Sequence, residues 1–282
     1  MPVIFGDIFP SSRISVLTGH AHDDIKSIFA MHTLAEFLVA NPTRRAIWID
    51  TLGVFQGFLF RDILMLQFLR QHSDDRAVEI DDELTKAIEN VQFIRVFDAT
   101  GLQEAMLELE NSFVNTTYQV TGVDDSDDEV KGLLVIDSIS ATYSRAMAND
   151  QPMGNSFQVF SNYLDTDMLA TGHAYMESFL KLLGKFSRTY NFSAILINTA
   201  VVASAADVVR SQFESVTQKP SLGPTLLYLV DFCTLISRDL QSGVYVFEIL
   251  ADRWRATEGH LLSFELTNNF EIAFNNPNES IG

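Results

Sequence analysis

The sequence predicts an α/β fold in which a mostly parallel, twisted sheet carries helices on both faces and ends in an antiparallel, β-rich C-terminal edge. Short apolar runs alternate with longer amphipathic stretches through most of the chain, a pattern typical of parallel strands covered by helices. The last third changes to strand-like runs joined by turns. A chain of 282 residues with 47% hydrophobic content can build one large core on both faces of such a sheet.

The β–α units can be followed along the chain. A strand is predicted over 13–18, and Asp23 or Asp24 can cap the next helix, which ends at Asn41-Pro42. The apolar positions of this helix fall largely on one face. The other elements predicted in this part are, in chain order, a strand over 46–50, a helix over 58–71, a strand over 91–97, a helix from near Gly101, a strand over 133–136, a helix over 172–190 and a strand over 194–197.

The C-terminal third is predicted to contain three strands, over 232–237, 244–250 and 261–266. The turn Gln241–Gly243 joins the first two as a hairpin. Polar stretches over 146–156 and 204–223 are predicted to be connections. No linker or repeat divides the chain, so one domain is predicted over 1–274, followed by a disordered polar tail over 275–282.

Four segments, in this order, resemble motifs of the RecA/recombinase family of P-loop ATPases. They are 13–27 (RISVLTGHAHDDIKS), with the strand, glycine and helix start of a phosphate-binding loop; 46–55 (AIWIDTLGVF), like a strand ending in Asp-Thr-Glu-Gly; 132–144 (GLLVIDSISATYS), like the Walker B strand; and 219–238 (KPSLGPTLLYLVDFCTLISR), like the return from the second DNA-binding loop. The stretch 246–266 is similar to the family's C-terminal hairpin.

This resemblance spans nearly the whole chain. It is strongest to the eukaryotic recombinase paralogues, including small fungal ones of the Shu-complex type. It implies a RecA-like P-loop NTPase core. The separate N-terminal domain of the full recombinases is expected to be absent, because the first core strand begins by Arg13.

The phosphate-binding loop departs from the family pattern. A working loop reads G-x-x-x-x-G-K-[ST]: glycines let backbone N–H groups close around phosphate, the lysine reaches the outer phosphates, and the hydroxyl binds Mg²⁺. Gly19 is present, but Asp24 stands at the position of the second glycine, with Asp23 beside it. The Asp24 carboxylate is expected where phosphate oxygens belong, and like charges repel strongly in a dry site.

The lysine and the serine of the pattern stand one residue late. At strict spacing Ile25 takes the position of the lysine and Lys26 that of the hydroxyl residue. A one-residue bulge restores Lys26 and Ser27 to those roles, and the sequence leaves both alternatives open. The degenerate nucleotide site that the resemblance implies consists of Gly19, Lys26, Ser27 and Asp137. No cofactor is expected there, and ATP with Mg²⁺ only if the altered loop still binds them.

Two further departures affect hydrolysis. In the family a Glu that polarises the attacking water follows Asp-Thr on the second strand, whereas here Asp50-Thr51 is followed by Leu52, which accepts no proton. The family's Asn-Gln pair at the end of the fifth strand falls on Thr199-Ala200. Asp137 survives, and without a phosphate-bound metal it can serve simply as a strand-end cap. No catalytic residue is therefore assigned.

The resemblance and these losses together imply a non-catalytic recombinase paralogue, a pseudo-ATPase of homologous-recombination DNA repair. Such a protein is expected in the nucleus, paired with another RecA-like paralogue or with the recombinase itself, where it assists filament assembly on single-stranded DNA. The alternative within the same fold is an active, DNA-dependent ATPase that uses Lys26 and Ser27. A distant alternative is a metal-dependent hydrolase that uses His20, His22 and Asp24, since histidines and carboxylates can hold a divalent metal.

DNA contacts are expected where the family has its DNA-binding loops, here over 145–165 and 202–223. The candidate residues are Arg210, Phe213 and Lys219 in the second loop, with Phe213 as a stacking residue, and Arg253 and Arg255 near the C-terminal hairpin. The net charge of -18 repels phosphate backbones. DNA binding is therefore expected mainly within a complex and with a strong salt dependence.

Composition argues against several classes of protein. No apolar run is long enough to cross a bilayer and the start lacks the features of a signal peptide, so a soluble intracellular protein is expected. The single cysteine, Cys233, excludes an internal disulfide and a cysteine-rich metal site, and it is expected to be buried. Ser138 and Ser140 follow a strand without a G-x-S-x-G elbow, which argues against an esterase.

Overall fold

The computed structural model describes residues 8–9, 12–71, 77–117, 130–148, 172–202, 218–239, 242–255 and 257–275. The strands are β1 (Ile14–His20), β2 (Arg45–Asp50), β3 (Val91–Arg95), β4 (Gly132–Asp137), β5 (Phe192–Val202), β6 (Gln218–Pro220), β7 (Phe232–Arg238), β8 (Tyr245–Asp252), β9 (Leu261–Leu266) and β10 (Ile272–Phe274). The helices are α1 (Ile25–Ala40), α2 (Gly57–Gln71), α3 (Ala77–Glu89), α4 (Ala99–Thr117), α5 (Ile139–Ala148), α6 (Gly172–Tyr190) and α7 (Gly223–Leu229).

These strands form one sheet in the order β10-β9-β8-β7-β1-β5-β4-β2-β3, and β6 pairs with the end of β5. The pairings from β7 through β1, β5, β4 and β2 to β3 are parallel. Strands β8, β9 and β10 continue from β7 in antiparallel fashion. The predicted α/β fold with an antiparallel C-terminal edge is therefore confirmed, and so is the predicted hairpin, which is β7–β8.

Helices cover both faces of the parallel part of the sheet. One core cluster contains Phe29 of α1 and Trp48 of β2, together with apolar residues of α2 and α3. The other contains Tyr143 of α5 and Phe179 of α6, together with apolar residues of α4. Because both faces are covered, β2 and β4 are buried almost throughout, which explains their uninterrupted apolar sequences. Cys233 is buried, as expected.

The first helix, α1, is buried on nearly all sides. The expectation of a single apolar face was wrong, because α2 lies beside α1 and polar residues such as His32 and Thr33 are buried along with the apolar ones. The predicted end of the helix is confirmed: both the backbone N–H and the side-chain amide of Asn41 donate to the carbonyl oxygen of Phe37. At the other end, Asp24 makes no side-chain cap bond, whereas the carboxylate of Asp23 accepts the N–H of Ile25.

Several elements were not predicted. Helix α3 carries the apolar stripe Ile80, Leu84 and Ala87, a helical spacing that could have identified it between its charged residues. Helix α5 occupies the start of the polar stretch that was predicted to be a connection, β5 continues five residues beyond its predicted end, and β6 and β10 are additional strands. The predicted tail, after residue 275, lies outside the described residues. Of the described helices, none is long and apolar enough to cross a bilayer.

Candidate nucleotide-binding site

The candidate site lies where β1, β2 and β4 reach the same edge of the sheet. β1 ends at His20 and leads through a short loop into α1, while Asp50 of β2 lies directly beside Asp137 of β4 in the parallel register. The backbone N–H of Thr51 donates to the carbonyl oxygen of Asp137 at 2.7 Å, which fixes the two strand ends relative to each other. Ligands of open α/β sheets bind at this carboxyl edge.

The side chain of Lys26 turns back into the loop between β1 and α1. It is only 6% exposed, and its Cγ and Cδ lie 3.0 Å from where a Cβ on Gly19 would stand, so a larger residue at position 19 would displace it. Its Nζ donates to the carbonyl oxygen of His20 and, at 2.7 Å, to that of Asp23. Burial lowers the pKa of Lys26, and nearby carboxylates, Asp23 first among them, oppose this effect.

Ser27 faces the Walker B-like strand. Its hydroxyl donates to Oδ2 of Asp137 at 2.7 Å. Burial raises the pKa of Asp137 to about 6, although the hydrogen bond from Ser27 opposes this, and the charge of Asp50 contributes to the rise. Of the two spacings that the sequence left open, the structure has Lys26 at the loop and Ser27 at Asp137, while Ile25 is buried in the core. The loop is thus one residue longer than the family pattern.

The two aspartates of the loop have different surroundings. Oδ1 of Asp23 accepts the N–H of Ile25 at 3.1 Å and the hydroxyl of Tyr245, from β8, at 3.5 Å. Asp24 is exposed and its carboxylate caps nothing. Asp24 lies in helical conformation, and the Asp23 carboxylate is the one that bonds the helix start. The charge of Asp24 still acts on both Lys26 and Asp137, and the expectation that its carboxylate occupies the phosphate position stays a prediction.

Three N–H groups of the loop bind atoms of the loop itself. The N–H of Asp23 donates to the carbonyl oxygen of His20 at 3.3 Å, that of His22 to Nδ1 of His20 at 3.4 Å, and that of Ile25 to the Asp23 carboxylate. Phosphate binding needs several such donors pointing at one point outside the backbone. These three N–H groups are directed to partners within the loop, while Ser27 and Asp137 have the side chains that hold Mg²⁺ in P-loop ATPases.

The end of β2 offers no carboxylate that could activate water. The carboxylate of Asp50 accepts the N–H groups of Leu52 and Gly53, at 3.0 and 2.6 Å, and lies 3.7 Å from the guanidinium of Arg95. The Leu52 side chain is 52% exposed. Asp50 therefore caps the turn after β2, and the position that a catalytic Glu takes in the family is occupied by a solvent-facing apolar side chain.

A row of hydroxyl groups connects β2, β4 and β5 beside Asp137. Oγ1 of Thr51 accepts the N–H of Ser138 at 2.7 Å, and the hydroxyls of Ser138 and Ser140 lie 2.7 Å apart. Ser140 donates to Oγ1 of Thr199 at 2.9 Å, and the carbonyl oxygen of Thr199 accepts the N–H of Ser221 at 2.9 Å. Sequence reasoning considered these serines only for an esterase; the repeated hydroxyls after an apolar strand were the available signal.

Asn198 lies next to this row. Its amide donates to the hydroxyl of Thr18 at 3.4 Å and its Oδ1 accepts the hydroxyl of Ser221 at 3.1 Å, and the side chain is fully buried. The polar groups of β5 thus reach β6, the strand that ends the second predicted DNA loop. In this chain a threonine and a buried asparagine make the contacts between the strand ends.

Of the described candidate DNA-contacting residues, Lys219 lies far from Arg253 and Arg255. Arg210 and Phe213 lie outside the described residues. Lys219 lies on β6 opposite Val201, at the carboxyl edge of the sheet. Arg253 and Arg255 lie at the other edge, since the N–H of Arg253 donates to the carbonyl oxygen of Asp231, which precedes β7. Along β5, seven residues separate the level of Lys219 from the level of Arg253, a distance of about 23 Å.

Arg253 and Arg255 are held by contacts within the chain. The guanidinium of Arg255 donates to Oδ2 of Asp252 at 3.2 Å and to the carbonyl oxygen of Ile8 at 2.7 Å, and that of Arg253 donates to the carbonyl oxygen of Tyr228. Burial alone would raise the pKa of Asp252, but hydrogen bonds from Thr257 and from backbone N–H groups hold it below its ordinary value. Both arginines therefore have contacts within the fold, at the edge of the sheet opposite the carboxyl edge.

The metal-hydrolase alternative gains no support. The rings of His20 and His22 lie 5.7 Å apart, and the first accepts a backbone N–H from the second. Within the described ranges, no group of three histidine, cysteine or carboxylate side chains is placed to hold a metal ion.

Comparison with known structures supports the fold. The crystal structure of the RadB recombinase matches with a TM-score of 0.58 over 95% of this chain and 93% of that chain, at 18% sequence identity. This chain has a RecA-like fold. No family model matches the sequence, and no curated protein matches it either. The predicted RecA-like core is confirmed.

Proposed function

We propose that this chain is a non-catalytic recombinase paralogue of homologous-recombination DNA repair. It pairs with another RecA-like subunit, or with the recombinase, and assists assembly of the recombinase filament on single-stranded DNA in the nucleus. The observation that carries this proposal is a RecA-like fold, similar to that of a recombinase over 95% of the chain, whose phosphate-binding loop is closed by its own side chains.

Pairing is supported by an exposed apolar surface at one end of the sheet. Strand β3 is the last strand on this side and, among the described residues, pairs only with β2. Phe97, just after β3, is 79% exposed, Phe58 at the start of α2 is 86% exposed, and Phe93 within β3 is 47% exposed. Exposed aromatic side chains on an open strand edge are typical of a protein–protein contact. This edge is therefore the proposed partner surface.

The test is co-purification of the tagged protein from cells in which it is native, followed by identification of the retained proteins. We expect a RecA-like subunit with the wild type. Phe97→Asp should lower its recovery at least tenfold, because a charge enters the apolar surface. Tyr228→Asp is the matched control, since Tyr228 is an equally accessible aromatic residue on α7, away from β3.

One result would contradict the proposed function, and another would contradict only the proposed surface. If no RecA-like subunit is retained, and deletion of the gene leaves survival after DNA damage unchanged, then the proposed function is wrong. If the subunit is retained equally by both variants, then the pairing stands and the β3 edge is not its surface.

DNA contact is proposed through Arg210, Phe213 and Lys219 within such a complex. Arg253 and Arg255 are held by intrachain contacts at the opposite edge of the sheet. Replacing Lys219 by Ala in the purified complex should weaken binding to single-stranded DNA in fluorescence anisotropy and reduce the salt dependence of that binding by about one ion.

An active ATPase is the second candidate, and one observation favours it. The hydroxyl of Ser27 contacts Asp137 as the Mg²⁺-holding pair of a P-loop ATPase does. Calorimetric titration with ATP and Mg²⁺ decides between the two: micromolar affinity that Lys26→Ala abolishes would establish the ATPase, and no measurable binding supports the non-catalytic paralogue.

A further inference from the structure

The loop between β1 and α1 contains a carboxylate, that of Asp23, which bonds the start of α1. We propose that the Asp23 carboxylate is an internal substitute for phosphate, which keeps this loop closed and excludes nucleotide. The inference explains the non-catalytic character proposed above. It concerns the isolated protein, so it does not depend on a partner or on DNA.

The position of the carboxylate is the first support. Oδ1 of Asp23 accepts the N–H of Ile25, the first residue of the 16-residue helix α1. Free N–H groups and the helix dipole make the start of a helix favourable for an anion. Here an aspartate of the chain takes that place. The neighbouring Asp24 is exposed and makes no cap bond to the helix, although its charge also opposes the lowered pKa of Lys26.

A second, independent contact comes from a distant part of the chain. The hydroxyl of Tyr245, on β8, donates to the same Oδ1 at 3.5 Å. The tyrosine ring is buried to 8% exposure and stacks on Phe264 at a centroid distance of 5.4 Å. Burial, and then the charge of Asp23, raise the pKa of Tyr245, so the hydroxyl stays protonated and can donate at neutral pH. Tyr245 is therefore a positioning residue for Asp23.

Lys26 provides the matching positive charge. Its ammonium is bound by the carbonyl oxygens of His20 and Asp23, and the charge of Asp23 opposes the effect of burial on the pKa of the lysine. The loop therefore holds both a carboxylate and a buried ammonium without any ligand. An incoming phosphate must displace the carboxylate and withdraw the ammonium from its two carbonyl partners, and both steps cost free energy.

The test is calorimetric titration of the purified full chain with pyrophosphate, with and without Mg²⁺, together with thermal unfolding. Wild type should bind pyrophosphate only weakly. Asp23→Ala should bind pyrophosphate at least tenfold more tightly and melt at a higher temperature in its presence. Adding Lys26→Ala to this variant should abolish the gained binding, because the ammonium is then absent.

Asp24→Ala is the matched control, since it removes the same charge one residue away. It should leave pyrophosphate affinity within twofold of wild type. Tyr245→Phe removes only the hydroxyl that holds Asp23, and it should raise the affinity about threefold while the core stays packed.

Three results would overturn the proposal. Wild type binding pyrophosphate as tightly as Asp23→Ala is one, and an equal gain in Asp24→Ala is another, because it would reduce the effect to net charge. The third is an unchanged pyrophosphate affinity in Tyr245→Phe, in a case where Asp23→Ala folds. Should Asp23→Ala fail to fold, the isosteric Asp23→Asn takes its place, and unchanged affinity in both Asp23→Asn and Tyr245→Phe then overturns the proposal. A negative partner screen leaves all of these outcomes unaffected.

Discussion

Replacing the buried Asp137 by Asn should stabilise the protein at neutral pH. Asp137 is 2% exposed, and burial raises its pKa from 3.8 to about 6. Between these two pH values the folded protein holds a proton that the unfolded chain releases, so stability falls as pH rises through this window. At about 1.4 kcal/mol for each pH unit, the ionised carboxylate lowers the free energy of unfolding by about 3 kcal/mol at pH 7.

Asparagine keeps the shape of the side chain and its hydrogen bond. Oδ1 of an asparagine can still accept the hydroxyl of Ser27, which now donates to Oδ2 of Asp137. The variant should therefore recover up to about 3 kcal/mol at pH 7, and this gain should shrink to nearly nothing by pH 4, where the wild-type carboxyl is protonated when folded.

Urea denaturation of both proteins at pH 7, 6, 5 and 4 measures this difference directly. Asp62→Asn, on the exposed face of α2, is the control and should change the free energy of unfolding by less than about 0.5 kcal/mol at every pH. A variant that is less stable than wild type at pH 7 would refute the reasoning, because it would mean that the surroundings stabilise the charged form of Asp137. A difference that does not change with pH would also refute it, because it would mean that folding does not shift the pKa of Asp137.

Three further predictions concern other side chains. Burial lowers the pKa of His32 to about 4, so the contribution of His32 to the free energy of unfolding should fall by about 3 kcal/mol as pH drops from 6.5 to 4. His32→Gln should remove that contribution in urea denaturation across the same range; a pH response equal to that of wild type contradicts it. Phe29→Ala should cost about 3–5 kcal/mol, measured in the same way at pH 7, because Phe29 is fully buried in the first core cluster; a cost below about 1 kcal/mol would mean that the site collapses around the gap. Arg255→Ala should cost about 1–3 kcal/mol through its lost bonds to Asp252 and Ile8, while anisotropy should show unchanged DNA affinity of the purified complex; a weaker affinity would return Arg255 to the DNA-contacting set.

The opposite signs of two of these effects matter for acid stability. As pH falls from 6.5 to 4, the contribution of His32 to protein stability should fall, and that of Asp137 should rise over nearly the same range. The two contributions nearly cancel in wild type. The pH dependence that His32 produces should therefore be clearest in the Asp137→Asn background.

Most of the sheet could be predicted because its strands are buried on both faces. β2 and β4 consist of unbroken apolar runs that end in aspartate, and β9 was predicted with its observed bounds. Helix α5 was missed because its sequence, ISATYSRAMA, mixes hydroxyl and apolar residues; its burial comes from packing against α6 and β5, which local composition does not reveal.

The candidate site was predicted only in part. The lysine, serine and Walker B-like aspartate could be named from the pattern, but their spacing could not be decided, since a bulge is a property of backbone geometry. Which aspartate faces the loop could not be predicted either. Asp23 is held by Tyr245, 222 residues away in the sequence, and such a contact follows from the complete sheet. The same reason separates Arg253 from Lys219, which the sequence placed in one functional set.

Lys26 and Ser27 both have structural partners, so both would have a role in the fold even if the loop bound no nucleotide. A buried ammonium without hydrogen bonds would cost several kcal/mol, and the carbonyl oxygens of His20 and Asp23 provide those bonds. Ser27 likewise donates to a buried carboxylate that would otherwise lack a side-chain donor among its described contacts. Loss of either residue would therefore destabilise the fold even where no phosphate is bound. The lysine and the serine are thus both present, and the feature that argues most strongly against nucleotide binding is the added carboxylate of Asp23.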